Sequence, residues 1–248
     1  MIFLRSTLFN LAFYGITALA CILCLPGLFL PRQGVFVIIR SFVKSVYFLE
    51  KHIIGLDYEV RGSENIPVEG AYIVAAKHQS AYETLKLHIL FEYPAVILKQ
   101  ELLKIPLWGW FLARSEPIAI NRSQGKKASQ QIIEGAKNVE KQNRPIIIFP
   151  QGTRVYPWQT TKEKPYKGGI IKIYEATQMP IIPLALNSGM FWPRKSWIKK
   201  PGTVIFQFLP PIHQGEHQGE HPAETLQKLE NIIETATILL QKEAEEAR

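Results

Sequence analysis

From Ser6 to Pro31 the chain carries no charged residue. A run of that length reaches across the hydrocarbon core of a bilayer. A secretory signal is one reading: Arg5 precedes the run, and Ala18-Leu19-Ala20 resembles a cleavage site. The apolar run continues to Leu30, longer than a usual signal core, which predicts a retained anchor. Pro26-Gly27 can kink or break such a helix, so a re-entrant hairpin stays open beside a spanning one.

The rest of the chain reads as globular. Apolar residues make up 47% and charged residues 20% of 248, which excludes disorder, a collagen-like rod and a polytopic channel. One substantial core, alone or with a small appendage, fits this length. Cys21 and Cys24 are too few for a disulfide scaffold, and both fall inside the uncharged run. The net charge is +8, and the positive surplus lies in residues 71–210, where it can attract phosphate, anionic lipid or nucleic acid or form a basic solvated face. Arg194, Lys195, Lys199 and Lys200 surround Trp197 with no recognised nucleic-acid module, so a membrane-facing basic rim explains them and no nucleic-acid partner is expected.

Val35 to Ile54 is amphipathic. Arg40, Lys44 and Lys51 share one side of a helix, and Phe36, Ile39, Val43 and Val46 mark the neighbouring apolar face. Two placements fit: in the membrane interface, which the preceding anchor favours, or packed on the soluble part. Residues 1–54 are therefore expected to form a membrane anchor and interfacial helix, and residues 55–248 a single domain.

Within that domain short branched strands alternate with helical patterns. Strands are predicted at 71–77, 95–99, 118–120, 145–150, 181–186 and 203–208, and helices at 80–90, 123–141 and 169–176. Continuous apolar strands between helices imply an α/β fold, a mostly parallel mixed sheet covered on both faces. Pro150 and Pro183 are expected at strand ends or on an edge, since an interior strand needs its amide hydrogens. Leu226, Leu229, Ile233, Ala236 and Leu240 predict a terminal amphipathic helix that packs on the sheet, with glutamates and lysines on its other face.

His78-Gln-Ser-Ala-Tyr-Glu83 follows the first of these strands. In continuous helix the two ends would lie about 140° apart, so His78 and Glu83 meet only if His78 occupies the strand-to-helix turn. A carboxylate beside an imidazole fixes its tautomer and helps it accept a proton. Ser80-Ala-Tyr-Glu83 is also a capping box, in which Glu83 closes the helix start. Both roles stand. Phe149-Pro-Gln-Gly-Thr-Arg154 also sits at a strand end: Gly152 permits a tight turn, Thr153 offers a hydroxyl, and Arg154 a fork for phosphate oxygens. Arg122 places a second guanidinium just past another strand, and the set suggests an anionic substrate held beside a base. The repeat His213-Gln-Gly-Glu216-His217-Gln-Gly-Glu220-His221 supplies metal-ligand types, but its glycines and Pro210-Pro211 favour a solvated loop, and no metal is expected there.

Four ordered blocks resemble the lysophosphatidic acid acyltransferases, the 1-acyl-sn-glycerol-3-phosphate acyltransferases. The first is His78 to Glu83. Glu101-Leu-Leu-Lys-Ile-Pro106-Leu-Trp-Gly109 leads into the second, Ile118-Ala-Ile-Asn-Arg122. Phe149 to Arg154 is the third, and Ile181-Ile-Pro183-Leu, preceded by Tyr166-Lys167-Gly168-Gly169, is the fourth. Two positions depart from the family pattern: Glu83 stands where aspartate is usual, and Gln151 where glutamate is usual.

The resemblance implies acyl transfer from acyl-CoA or acyl-carrier protein to the sn-2 hydroxyl of 1-acyl-sn-glycerol 3-phosphate. His78 would be the base and Glu83 its orienting partner. Arg122, Gly152, Thr153, Arg154 and Lys167 would bind substrate. No cofactor is implied, and no acyl-enzyme is required. Placement at the cell inner membrane, with the active part on the cytoplasmic side, is expected. Glycerol 3-phosphate or another lysophospholipid is the alternative acceptor, and a non-catalytic phospholipid-binding protein the alternative class.

Overall fold

The computed structural model describes residues 1–177, 179–213 and 222–246. The uncharged run folds as helix α1 (Ile2–Leu23), which ends where Pro26 withdraws a backbone donor. A short 3-10 turn over Leu25–Phe29 follows, and extended backbone at Pro31 opens helix α2 (Arg32–Leu49). A π-helical turn over Glu50–Ile54 closes the segment. Arg5 near the start of α1 donates to the carbonyl of Ile53 at 2.5 Å, so α1 and α2 run as a hairpin. Gly27 lets the two helices pack closely at the turn, since a Cβ there would stand 2.2 Å from the Ile38 terminal methyl and displace it.

The remaining elements alternate as the strand and helix patterns predict. They are β1 (Leu56–Arg61), β2 (Ile73–Ala76), α3 (Tyr82–Leu90), β3 (Ala95–Lys99), α4 (Trp108–Arg114), β4 (Ile118–Ile120), α5 (Lys126–Glu140), β5 (Ile146–Ile148), α6 (Gly169–Ala176), β6 (Ile181–Leu186), β7 (Gly202–Phe208) and α7 (Pro222–Glu246). Seven strands form one sheet in the order β1-β7-β6-β2-β5-β3-β4. Every neighbouring pair is parallel except β6 with β7. The expected α/β class with a mostly parallel mixed sheet is borne out.

Strand alternation divides the core in two. Val74 and Ala76 of β2, Ile147 of β5 and Ile182, Leu184 and Leu186 of β6 face α1, α2 and α3. Ile73 and Ala75, Ile146 and Ile148, and Ile181 face the opposite way, toward α5, α6 and α7. Both faces are covered, which is why the inner strands read as unbroken apolar runs.

Pro183 departs from expectation. It lies inside β6, an interior strand, and not at an end or edge. Its carbonyl accepts from Leu209 at 3.0 Å, and Ile181 bonds both ways with Ile212. Between those contacts the neighbouring chain leaves the ladder through Pro210-Pro211, so no acceptor is stranded opposite the missing amide. Strand β1 and helix α4 add to the predicted elements: β1 is a half-exposed edge strand carrying Asp57, Glu59 and Arg61.

The N-terminal hairpin shares the domain core. Phe9 is buried edge-on to Trp192 at 5.3 Å between ring centres. The buried Ser6 and Asn10 bond to Lys199, Ser6 Oγ accepting from its backbone amide at 2.9 Å and Asn10 Oδ1 from its ammonium at 2.7 Å. On α2, Val35, Phe36, Val43 and Val46 are buried and Arg40 reaches the carbonyl of His88, while Lys51 in the following turn pairs with Asp57 at 2.7 Å. Leu4, Leu8, Leu11, Leu19 and Leu23 of α1, with Val37 and Phe48 of α2, stay exposed.

Candidate active site

Strand β2 ends at Ala76, and the chain continues extended through Lys77, whose amide donates to Leu184. His78 then stands in the strand-to-helix turn, the geometry needed for it to meet Glu83. The imidazole Nδ1 lies 2.8 Å from Glu83 Oε1. Because a carboxylate only accepts, Nδ1 carries the hydrogen and Nε2 keeps its lone pair. The same oxygen accepts from the backbone amides of Gln79 (2.8 Å) and Ser80 (2.7 Å), while Ser80 Oγ accepts from the Tyr82 amide at 3.1 Å. Glu83 therefore serves both readings at once: it orients the histidine and takes up the Ser80 amide at the head of α3, one half of the expected capping box, while Ser80 Oγ takes the Tyr82 amide in place of the Glu83 amide.

Two partners of this pair lie outside the predicted dyad. Ser188, just beyond β6, donates its hydroxyl to Glu83 Oε2 at 2.7 Å. Phe149, at the end of β5, stacks on the His78 ring with 3.9 Å between centres and 22° between planes. The imidazole is thus held by a hydrogen bond in its plane and an aromatic face against it. Its side chain is 15% exposed.

The turn after β5 brings the cations in. Gly152 donates to the Phe149 carbonyl at 2.8 Å and adopts a left-handed φ of 69°. Glycine is required by that turn, and a Cβ there would also crowd Arg122 Nη1 at 3.1 Å and Lys167 Nζ at 3.3 Å. Arg122 donates to the Gly152 carbonyl, and the Lys167 amide donates to Pro150 at 3.0 Å. Burial lowers the Arg122 guanidinium from its ordinary value, with Glu101 opposing. Val155 donates to the carbonyl of His78 at 2.9 Å, tying this turn to the first block.

These groups open on one cavity of about 580 Å³, within the range of small-molecule sites. His78, Arg122, Gly152, Thr153 and Arg154 line its polar part. Its larger part is apolar, walled by α1 (Ala20, Cys21), α2 (Ile38, Phe42), α3 (Leu85) and α4 (Phe111, Leu112). The placement at the carboxyl ends of β2, β4 and β5 is the one that open parallel sheets use for ligands. An imidazole, a group of cations and an apolar wall meet in one space. Of the predicted site residues, His78, Arg122, Gly152, Thr153 and Arg154 line the cavity; Glu83 is buried behind His78, and Lys167 approaches through Gly152 without lining it.

Residues 57–187 match the Acyltransferase family. A 1-acyl-sn-glycerol-3-phosphate acyltransferase of Pseudomonas aeruginosa is 38% identical over 193 residues, covering 78% of this chain and 74% of that protein. The chain belongs to the acyltransferase family. A Saccharomyces cerevisiae 1-acyl-sn-glycerol-3-phosphate acyltransferase is 31% identical over 217 residues, covering 85% of this acyltransferase and 69% of the yeast protein. The fold matches the crystal structure of the 1-acyl-sn-glycerophosphate acyltransferase PlsC of Thermotoga maritima with a TM-score of 0.76, at 24% identity and coverage of 100% and 99%. The likeness read from the four sequence blocks is borne out.

The family departure at Gln151 has a local structural account. The side chain is buried, and its amide donates to the Lys164 carbonyl at 3.3 Å. A carboxylate has no hydrogen to give that carbonyl. Within the acyltransferase the histidine-rich repeat after β7 is represented only by His213; Glu216, His217, Glu220 and His221 lie outside the described residues. Among the described residues no group of three or more metal-ligating side chains gathers.

Proposed function

We propose that this acyltransferase moves a fatty acyl group from a thioester of coenzyme A or acyl-carrier protein to the sn-2 hydroxyl of 1-acyl-sn-glycerol 3-phosphate. The supporting observation is the meeting of His78–Glu83, the Arg122–Gly152–Arg154 cation group and a long apolar wall on one cavity.

His78 Nε2 takes the proton of the acceptor hydroxyl as its oxygen attacks the thioester carbonyl. Glu83 keeps Nδ1–H in place and balances the imidazolium. Collapse of the tetrahedral intermediate expels the thiolate, to which the imidazolium returns the proton. Arg122 and Arg154, with Lys167, hold the acceptor phosphate. The apolar wall takes an acyl chain, and no covalent acyl-enzyme is needed.

Residues 1–54 bring the enzyme to the lipid. Helix α1 is long and apolar enough to cross a membrane, and its exposed flank continues onto Val37 and Phe48 of α2. We place this surface in the cell inner membrane, with residues 55–248 on the cytoplasmic side.

The test is an acceptor panel with both thioester donors. Transfer to lysophosphatidate that is lost in His78→Ala, with folding and vesicle binding kept, supports the reading. A folded wild-type protein that acylates no lysophospholipid with either donor overturns it. Faster transfer to glycerol 3-phosphate would reassign the acceptor.

A further inference from the structure

Strand alternation sends Lys77 and His78 to opposite faces of the sheet. His78 enters the cavity; Lys77 turns toward α7, where its side chain is 2% exposed. A buried ammonium is expensive unless it is paired and hydrogen-bonded. Burial indeed lowers the Lys77 ammonium from its ordinary value, against the pull of Glu234 and Glu230. Glu234 of α7 meets that ammonium with both carboxylate oxygens, at 2.6 and 2.7 Å.

The same carboxylate holds a second segment. Tyr166 is buried and donates its hydroxyl to Glu234 Oε1 at 2.9 Å. Its backbone amide donates to Glu230 Oε2, one helical turn earlier on α7, at 3.2 Å. Tyr166 is followed by Lys167, whose ammonium reaches Gly152 beside Arg122. One acidic side chain therefore touches the neighbour of the base and the neighbour of a phosphate-binding lysine. Residues 230 and 234 fall outside the segment matched by the family.

We propose that Glu234 is a positioning residue: from the terminal helix it locks the His78 turn and the Lys167 turn into one frame, setting the distance between base and acceptor phosphate. The inference rests on the acyl-transfer reading. It requires that α7 contribute to catalysis through polar contacts as well as through the packing of Leu229 and Ile233.

The experiment compares steady-state transfer to lysophosphatidate in wild type, Tyr166→Phe, Glu234→Asp, and the double variant Lys77→Met with Glu234→Gln, which removes both charges together and leaves no buried ion alone. Tyr166→Phe frees only the Lys167 arm, so KM for lysophosphatidate should rise about five-fold with kcat held within about two-fold. The double variant frees the His78 arm, and kcat should fall about ten-fold or more, because small misplacements of a reacting group are costly. Glu234→Asp keeps the charge and should recover at least about half of that kcat. Thermal midpoints read alongside separate kinetics from folding. If all variants fold and keep kcat and KM within about two-fold of wild type, Glu234 is a structural tie and the proposal fails. If wild type itself transfers nothing, the acyl-transfer reading fails first and the positioning role goes with it.

Discussion

Glu83 binds His78 Nδ1 at 2.8 Å through the same oxygen that accepts the Gln79 and Ser80 amides at the head of α3. Orientation of the imidazole and closure of the helix are therefore inseparable at this residue. Glu83→Ala should remove activity about 10³-fold and also cost about 3 kcal/mol of stability, because it strands several buried donors. His78→Ala should match the first loss and not the second. Chemical denaturation run beside a transfer assay checks both; equal stability losses in the two variants would contradict the shared role of Glu83.

Gly152 is the point where the Arg122 guanidinium and the Lys167 ammonium converge. Gly152→Ala forces an L side chain into a φ of 69° and sets a methyl 3.1 Å from Arg122 Nη1. The backbone strain should lower stability by about 1–2 kcal/mol. Displaced cations should raise KM for lysophosphatidate more than they lower kcat. A titration with lysophosphatidate against an uncharged monoacylglycerol reads the split: only the phosphate-bearing acceptor should suffer.

The outer flank of α1 exposes Leu8 and Leu11, whereas Ser6, Phe9 and Asn10 dock the inner flank on Trp192 and Lys199. Replacing both leucines by glutamate should leave the fold intact and weaken binding to phospholipid vesicles at least about ten-fold. Sedimentation with vesicles measures this, and circular dichroism verifies the helix. Undiminished binding would remove α1 from the lipid-contacting surface.

Much of this architecture is legible in the sequence because its signals are local. The inner strands, buried on both faces, read as apolar runs, and the His78 and Gly152 turns follow directly from strand ends. What is not legible depends on distant partners. Ser188 and Phe149 look ordinary until the fold carries them to Glu83 and His78. Strand β1, with Asp57, Glu59 and Arg61 on a half-exposed edge, has no apolar run to announce it. The alternation along α7 separates apolar from polar correctly, yet Glu230 and Glu234 on the polar side turn inward because Lys77 and Tyr166 wait there. Pro183 defeats a sound rule because the Pro210-Pro211 detour in the neighbouring chain cannot be seen from β6.

His88 on α3 should make the stability of the fold sensitive to acid. It lines the cavity, its Nδ1 has no partner among the described residues, and burial, with Arg40 nearby, drops its pKa from 6.5 to about 4. Between those values the unfolded chain binds a proton at this position and the folded chain does not. Stability should therefore fall as pH drops from 6.5 toward 4, with a contribution from this residue on the order of 3 kcal/mol. Above pH 6.5 its contribution is constant. His88→Leu should flatten the decline across that window and leave the behaviour above it unchanged. Urea denaturation at half-unit pH steps measures the two slopes; parallel curves for wild type and variant would show that another group carries the acid transition.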